Sequence, residues 1–213
     1  MKKYLLLICL FYSWILSGQD AIRVYGGFNL SNVRYHLKNS LTNTDTSYLR
    51  SNNYVLPLLG ADIDFNISPK FTFTTGIGIN FLGSKNYNTD VNIPNLNIDS
   101  NLRIGYLRIP LIVNYNLTNG LSLFGGYSFN YSFRKNLNFV VSKPGTFEGE
   151  GIYKPIHHAL LFGLKEEWKN WSITANYHAG ISRIWDTKDF DPDKRAYLTL
   201  KAFQFTIGYF IRE

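Results

Sequence analysis

The sequence predicts an all-β protein, an eight-stranded antiparallel up-and-down barrel that crosses a membrane. Three observations lead there: large apolar residues occupy every second position over eight long segments, short turns and long polar loops alternate between them, and aromatic residues make up 16% of the chain against 17% charged residues. Such alternation gives each strand two different faces. In a membrane barrel only every second strand residue must be apolar, whereas a spanning helix needs roughly 20 consecutive apolar residues. The alternating segments therefore suffice to cross a membrane as strands.

Residues 1–18 are predicted to be a secretory signal peptide, and residues 19–213 one barrel domain. Lys2 and Lys3 form the basic start, an apolar core follows, and small residues precede an expected cleavage near Gln19. A transmembrane anchor is the alternative, but the apolar core is short for one. The only cysteine, Cys9, lies in this segment. Its removal lowers the net charge from +7 to +5, because the segment holds two lysines and no acid.

The strands follow one another with a regular alternation of connections. Short turns rich in Pro, Asn and Gly are expected at 68–70, 118–120 and 169–170, and long polar loops at 31–53, 83–101, 134–157 and 185–195. With the N-terminus in the periplasm, the turns lie on that side and the loops outside. The predicted strands run roughly over 22–30, 54–67, 71–82, 102–117, 121–133, 158–168, 171–184 and 196–211.

The polar face of the strands is predicted to line the barrel interior. A secreted lipocalin-like barrel, apolar inside and polar outside, is the alternative, and a water-facing surface would carry many Lys and Glu residues. Small neutral residues suit the cramped lumen of eight strands instead. On one strand this face reads Thr72, Thr74, Gly76, Gly78 and Asn80.

Aromatic residues gather at both strand ends, which is typical of the two interfaces of a membrane. The alternative is that Tyr and Phe are simply common in strands. The girdle expected at the turn end comprises Phe65, Phe71, Tyr115, Trp168, Trp171 and Tyr209, and the girdle at the loop end Tyr54, Phe81, Tyr106, Tyr131, Phe133, Trp185 and Tyr197.

The string YLRIPLIVNY at 106–115, followed by TNG and LSLFGGYSFNYSF, resembles the central strand pair of the PorT-like outer-membrane β-barrel family, common in Bacteroidota. The segments IRVYGGFNLSNV, ADIDFNISPKFTFTTGIGINF and KAFQFTIGYFI extend the resemblance over nearly the whole mature chain. It implies an eight-stranded barrel in the outer membrane of a Gram-negative bacterium. A few members of the family take part in protein secretion, and most have no assigned role.

Ionisable residues of both signs are predicted to face the lumen. A sealed plug of salt bridges is favoured, because an unpaired charge in a narrow lumen is costly and eight strands leave little open bore. A narrow ion path or gate is the alternative. The predicted lumen charge cluster comprises Asp62, Asp64, Arg108, Lys165, Glu167 and Lys201.

No catalytic, cofactor-binding or metal site is expected. His178 with Ser182 is the only arrangement similar to that of a lipid A-modifying enzyme, and both fall on the lumen parity, away from lipid. His157 and His158 are adjacent, so they point to opposite faces of a strand. The loop aspartates 189, 191 and 193 alternate like calcium ligands, but a solvated loop is favoured. Pro110, inside a strand, predicts a bulge or a local break in pairing.

The basic residues concentrate in the first and third long loops, where lipopolysaccharide phosphates would attract them. These are Arg34, Lys38, Arg50, Arg134, Lys135, Lys143 and Lys154. The expected partners are therefore outer-membrane lipid and lipopolysaccharide, with envelope or secretion proteins as further candidates and no nucleic acid. We expect a monomeric, non-enzymatic barrel with a structural or loop-mediated interaction role. An accessory secretion component is the alternative, ahead of a narrow pore and a lipid A-modifying enzyme.

Overall fold

The computed structural model describes residues 21–39, 44–46, 52–85, 98–141, 152–186 and 194–211. Three strands of two or three residues, Thr44–Thr46, Ile152–Tyr153 and Trp185–Asp186, accompany eight long ones. Among the described residues no helix is long and apolar enough to cross a membrane. The long strands are β1 Ala21–Asn39, β2 Tyr54–Ser68, β3 Phe71–Ser84, β4 Ile98–Asn116, β5 Leu121–Val141, β6 Ile156–Trp168, β7 Trp171–Gly180 and β8 Lys194–Ile211.

The eight long strands close into a barrel. Each pairs antiparallel with the next along the chain, and β1 pairs with β8 from Ile22 with Ile211 to Asn39 with Lys194. Closure removes the open edges that a flat sheet would present, and it satisfies backbone groups that lipid cannot. The predicted eight-stranded antiparallel barrel is confirmed. The predicted signal peptide lies outside the described residues.

Four strands run further than predicted. β1 continues to Asn39, β8 begins at Lys194, and β4 and β5 remain paired up to Ile98 with Val141. The sequence places these segments in loops because their apolar alternation stops. Beyond the membrane, the strands still pair through their backbone hydrogen bonds, but their outer face no longer needs to be apolar. The strands therefore extend past the last residues that show apolar alternation.

The two faces of the barrel wall have opposite chemistry, as the sequence predicts. Thr72, Thr74 and Asn80 of β3 are buried inside, whereas Phe71 and Ile77 on the same strand are exposed outside. The same alternation along the other strands leaves a wide apolar outer surface, with Ile207 of β8 56% exposed. A polar interior and an apolar exterior exclude the lipocalin-like alternative.

Pro110 interrupts the ladder on one side, as predicted. Its pairing with Ser128 of β5 is kept, but the register with β3 passes from Leu111 with Thr75 directly to Arg108 with Gly78. The Thr75 hydroxyl donates to the carbonyl oxygen of Pro110 over 2.9 Å. This side-chain hydrogen bond replaces part of the pairing that the missing N–H removes.

Glycine makes room for a large side chain in the lumen. A Cβ at Gly60 would lie 2.5 Å from the Tyr25 hydroxyl oxygen, and one at Gly78 would lie 2.8 Å from it. Tyr25 is buried and stands directly opposite Gly60 in the ladder of β1 and β2, and Gly60 in turn pairs with Gly78 of β3. The strand glycines therefore allow the lumen to fill with side chains, as expected for eight strands.

Candidate functional site

The lumen gathers most of the predicted charge cluster. Asp62, Asp64, Arg108 and Lys165 are buried inside the barrel. The side chain of Glu167 is 23% exposed and lies on the wall of an opening of about 460 Å³ at the turn end. Pro69 and residues 118–120, from two of the short turns, line this opening, so it lies on the periplasmic side.

The prediction that Lys201 faces the lumen is wrong. On β8 the even-numbered side chains of Ala202 and Gln204 are buried, and Lys201 shares the outward parity of Phe203. Among the described residues a third cation, Arg23, is buried in the lumen beside Arg108 and Lys165, and the sequence prediction does not include it. The sequence does contain the evidence for this position: Arg23 lies next to the lipid-facing Val24 and therefore points to the opposite, inner face of β1.

Carboxylates and cations pair directly in the periplasmic half of the lumen. Nη2 of Arg23 lies 2.5 Å from Oδ2 of Asp62, and Nη1 donates to the hydroxyl oxygen of Thr174 over 3.0 Å. Nζ of Lys165 lies 3.2 Å from Oδ2 of Asp64, whose other oxygen accepts a hydrogen bond from Thr74. Buried charges in paired form avoid the cost of an isolated ion.

Little free space remains at this level. The cavity between Arg23, Asp62 and Arg108 has a volume of about 20 Å³, whereas one water molecule needs roughly 10–15 Å³. Nε of Arg23, Nε of Arg108 and Oδ1 of Asp62 have no protein hydrogen-bond partner. The charge layer therefore has room for about one water molecule and no continuous bore.

A layer of amides lies above the charges. The Gln204 carbonyl oxygen accepts from Nδ2 of Asn176 over 2.9 Å and from Nη1 of Arg108 over 3.4 Å. Its Nε2 donates to Oδ1 of Asn29 over 2.8 Å, and Nδ2 of Asn29 donates to Oδ1 of Asn80 over 2.6 Å. These bonds join β1, β3, β4, β7 and β8 across the bore.

Two histidines meet above the amides. Nε2 of His157 lies 3.2 Å from Nε2 of His178, and both rings are fully buried. Nδ1 of His157 lies 3.0 Å from the Ser182 hydroxyl oxygen, which also accepts the backbone N–H of His158 over 2.8 Å. The short contact between the two Nε2 atoms requires one of them to donate and the other to accept. Ser182 therefore contacts His157 rather than the His178 that the sequence paired with it.

Tyr106 belongs to the lumen and not to the outer aromatic girdle. Its ring is 1% exposed, and its centroid lies 5.5 Å from that of His157. The sequence prediction fails because the even-numbered residues of β4 face inward, including Tyr106 and Arg108. An aromatic ring at a strand end belongs to a girdle only when its parity is outward.

An apolar cluster fills the outer end of the lumen. The sequence analysis missed it, although β8 shows the signal, because Leu198 and Leu200 continue the inward parity of Gln204. Close-packed apolar side chains exclude water from this end of the bore. The cluster comprises Val33, Leu82, Leu102, Ile104, Tyr106, Ile184, Leu198, Leu200 and Ala202.

The lumen offers a hydrogen-bonded chain from Ser182 through His157 to His178, but no described carboxylate completes it. In the described part of the chain, no group of three or more His, Cys, Asp or Glu side chains could hold a metal ion. The aspartates at 189, 191 and 193 lie outside the described residues. The side chains of the lumen form four successive layers, charged, amide, imidazole and apolar, and together these layers block the bore.

Comparison with known proteins adds structural similarity only. No family model matches the chain, and no curated protein matches it. Among solved structures, Ail of Yersinia pestis is 13% identical with a TM-score of 0.41, covering 90% of this chain and 99% of its own. AlkL is 14% identical with a TM-score of 0.44 and 92% of both chains covered. The outer membrane protease OmpT of Escherichia coli is 8% identical with a TM-score of 0.40, covering 91% and 97%.

The outer wall decides where the protein resides. Val24, Leu59, Phe162 and Ile207 are each at least half exposed on different strands, so the apolar surface runs around the barrel. Only lipid covers such a surface on a closed antiparallel barrel. The protein lies in the outer membrane. Its polar interior and lipid-facing exterior are the two sides of one wall.

Proposed function

We propose that this protein is a sealed, non-enzymatic barrel with a structural or interaction role in the cell envelope. The blocked lumen is the observation that carries the proposal. From the periplasmic side, the ion pair of Arg23 with Asp62, the amides around Gln204, the histidine pair and the apolar cluster follow one another. A solute would have to displace all four layers, so a narrow pore is disfavoured.

A lipid A-modifying activity is also disfavoured. The imidazole of His178 lies inside the wall and is fully buried, whereas a lipid substrate approaches from outside. The hydroxyl oxygen of Ser182 already accepts the backbone N–H of His158. A catalytic base must reach the reacting group, and this geometry gives it no access to lipid.

The outer end of the barrel provides a surface for interaction. β4 and β5 stay paired up to Ile98 with Val141, although β3 leaves β4 after Leu102 and β6 leaves β5 after Tyr131. In the described part of the chain, residues 98–101 and 133–141 of this ribbon therefore have no further strand beside them. Unpaired strand edges can add a strand from another protein.

Conductance tests the proposed function. The purified barrel, reconstituted in planar bilayers, is expected to show no steady channel, with a wide porin as the positive control. Reproducible unitary currents from the wild-type barrel would overturn it.

Because the mature chain is expected to lack cysteine, a single cysteine in place of Asn138 can carry a crosslinker on the ribbon. Specific crosslinks to an envelope protein, absent for a cysteine in place of Asn119 at the periplasmic turn, are the expected result.

An accessory role in protein secretion is the second candidate, and the β4 and β5 ribbon favours it. An open edge can hold an extended segment of a secretion partner by main-chain hydrogen bonds. The test compares secreted and periplasmic proteins of a deletion strain with those of its parent. Cargo retained in the periplasm would support this role, whereas an unchanged secretome would remove it and leave the structural one.

A further inference from the structure

Cations gather on the outer wall where β7, β8 and β1 meet. Lys201 of β8 stands between Asn32 of β1 and Ala179 of β7 in the ladder, and Arg34 of β1 stands beside Thr199 of β8. Arg183 follows the end of β7. We name Arg34, Arg183 and Lys201 the seam cations, since they flank the seam at which the first and last strands close the barrel.

Two depressions adjoin at this seam and share Arg34 and Lys201. One, of about 340 Å³, is also lined by Arg183 and Tyr197. The other, of about 520 Å³, is lined by Leu30, Tyr177 and Phe203 on its apolar part, and by Asn32, Asn52 and Asn53 on its polar part. No described acidic side chain lines either depression. The seam is thus cationic in the middle and apolar at one edge.

The seam cations lie at the level of lipid headgroups. The outward residues of β8 from Ile211 to Phe203 are all exposed and apolar or aromatic, and Lys201 is the next outward position. Those residues cover roughly 26 Å of strand at about 3.3 Å per residue. A strand tilt of about 35–45° reduces this to about 20 Å along the membrane normal, so Lys201 lies near the edge of an apolar band of about 25 Å. β1 changes at the same height, from Leu30 to Asn32 and Arg34.

Two of the seam cations have no described carboxylate as a partner, and the third is held against an aromatic ring. Neither Arg34 nor Lys201 forms an ion pair with any described carboxylate. The guanidinium of Arg183 lies over the ring of Tyr197, 4.3 Å from its centroid. Stacking on the ring restricts the orientation of the guanidinium plane. The ring of Tyr177 packs on that of Phe203 with centroids 5.0 Å apart, which forms the apolar edge.

We propose that the seam binds the phosphate groups of a phosphorylated glycolipid of the outer leaflet. Arginine and lysine make their strongest contacts with phosphate oxygens, and two neighbouring cations match a headgroup with more than one phosphate. Acyl chains would lie along Leu30 and Phe203, and the asparagine amides would meet sugar hydroxyls. A soluble phosphate would use the cations alone. The apolar edge below them therefore favours the lipid, and the proposal depends only on the location of the barrel.

Lipid binding tests this proposal on the full mature barrel in detergent micelles. The probe is bisphosphorylated lipid A, and the variant is Arg34→Gln with Lys201→Gln. Losing two charge-assisted contacts is expected to weaken binding by about tenfold or more. The matched control is Lys85→Gln with Arg103→Gln, two exposed cations elsewhere on the outer rim that lie over Tyr54 and Phe81. This control is expected to change the affinity less than about twofold.

Three further arms separate the sources of phosphate. Lipid A stripped of both phosphates is expected to lose binding to the wild-type barrel, and inorganic pyrophosphate and phosphatidylglycerol vesicles are expected to compete poorly. Equal binding of the stripped lipid, or equal loss in the seam and control variants, would overturn the proposal. Competition by pyrophosphate as strong as by lipid A would replace the glycolipid with a soluble anion. Unchanged barrel circular dichroism in each variant excludes misfolding, and none of these outcomes bears on conductance.

Discussion

Arg23 and Asp62 face each other across the ladder of β1 and β2, and their side chains form an ion pair inside the barrel. The distance from Nη2 to Oδ2 is 2.5 Å, and both residues are buried. The cavity beside this pair has a volume of about 20 Å³, room for about one water molecule, which is too little to solvate a charge that has lost its partner. Each charge is therefore tolerated in the lumen only while its partner is present, and unfolding experiments on single and double variants can measure this coupling.

The change Asp62→Ala is expected to destabilise the barrel by about 3–5 kcal/mol, because it leaves the Arg23 charge buried without its partner. The measurement is reversible urea unfolding of the protein in phospholipid vesicles. The double variant Arg23→Met with Asp62→Leu is expected to be more stable than Asp62→Ala, since it removes both charges. A loss below about 1 kcal/mol for Asp62→Ala would contradict the account.

The change Gly60→Ala is expected to cost about 1–3 kcal/mol, because the added Cβ overlaps the Tyr25 ring and must displace it. The new atom would lie 2.5 Å from the Tyr25 hydroxyl oxygen and 2.7 Å from the Ile77 carbonyl oxygen. Gly26 is the matched control, because a Cβ there meets nothing within 4 Å. Thermal unfolding followed by circular dichroism compares the two variants. Equal midpoints would show that Tyr25 is not fixed in the lumen.

The change Ile207→Lys is expected to destabilise the protein by about 2–4 kcal/mol, since the residue lies midway along the lipid-facing run of β8. The matched control Ile181→Lys places the same charge at the outer rim beside the seam cations, where about 0–1 kcal/mol is expected. Both isoleucines are 56% exposed, so exposure alone does not distinguish them. Unfolding in vesicles measures both. An equal cost would mean that the apolar band is placed wrongly.

The change Ser182→Ala is expected to cost about 1–3 kcal/mol, because it deprives His157 Nδ1 and the His158 N–H of their partner. Ser84 provides the control: its hydroxyl is also buried near the outer end, but it has no hydrogen-bond partner. Ser84→Ala is therefore expected to be neutral or stabilising. Nitrogen NMR of the histidine side chains is expected to show a shifted His157 Nδ1 resonance in Ser182→Ala only, because Nδ1 loses its hydrogen-bond partner. Identical spectra would argue against the hydrogen-bonded chain.

The sequence predicted the barrel and most of its lumen because parity is a local property. Asp62, Asp64 and Arg108 alternate with apolar neighbours on the same strand, so a single strand reveals their side of the wall. The prediction for Lys201 is wrong although β8 alternates clearly: the charge of Lys201 suggests the lumen, but its two-residue step from Phe203 places it on the outer face. The girdle prediction for Tyr106 is wrong for the same reason, since its position at a strand end suggests a girdle but its parity faces the lumen.

The sequence by itself determined the eight strands, their inner and outer faces and the tight turns, because these depend on alternation and on turn residues within short stretches. Only the tertiary structure decided which lumen groups meet. His157 and His178 belong to neighbouring strands, and Gln204 reaches Asn29 only because β8 closes on β1. Register and closure fix such contacts, and they arise from the cooperative pairing of all strands rather than from any one of them.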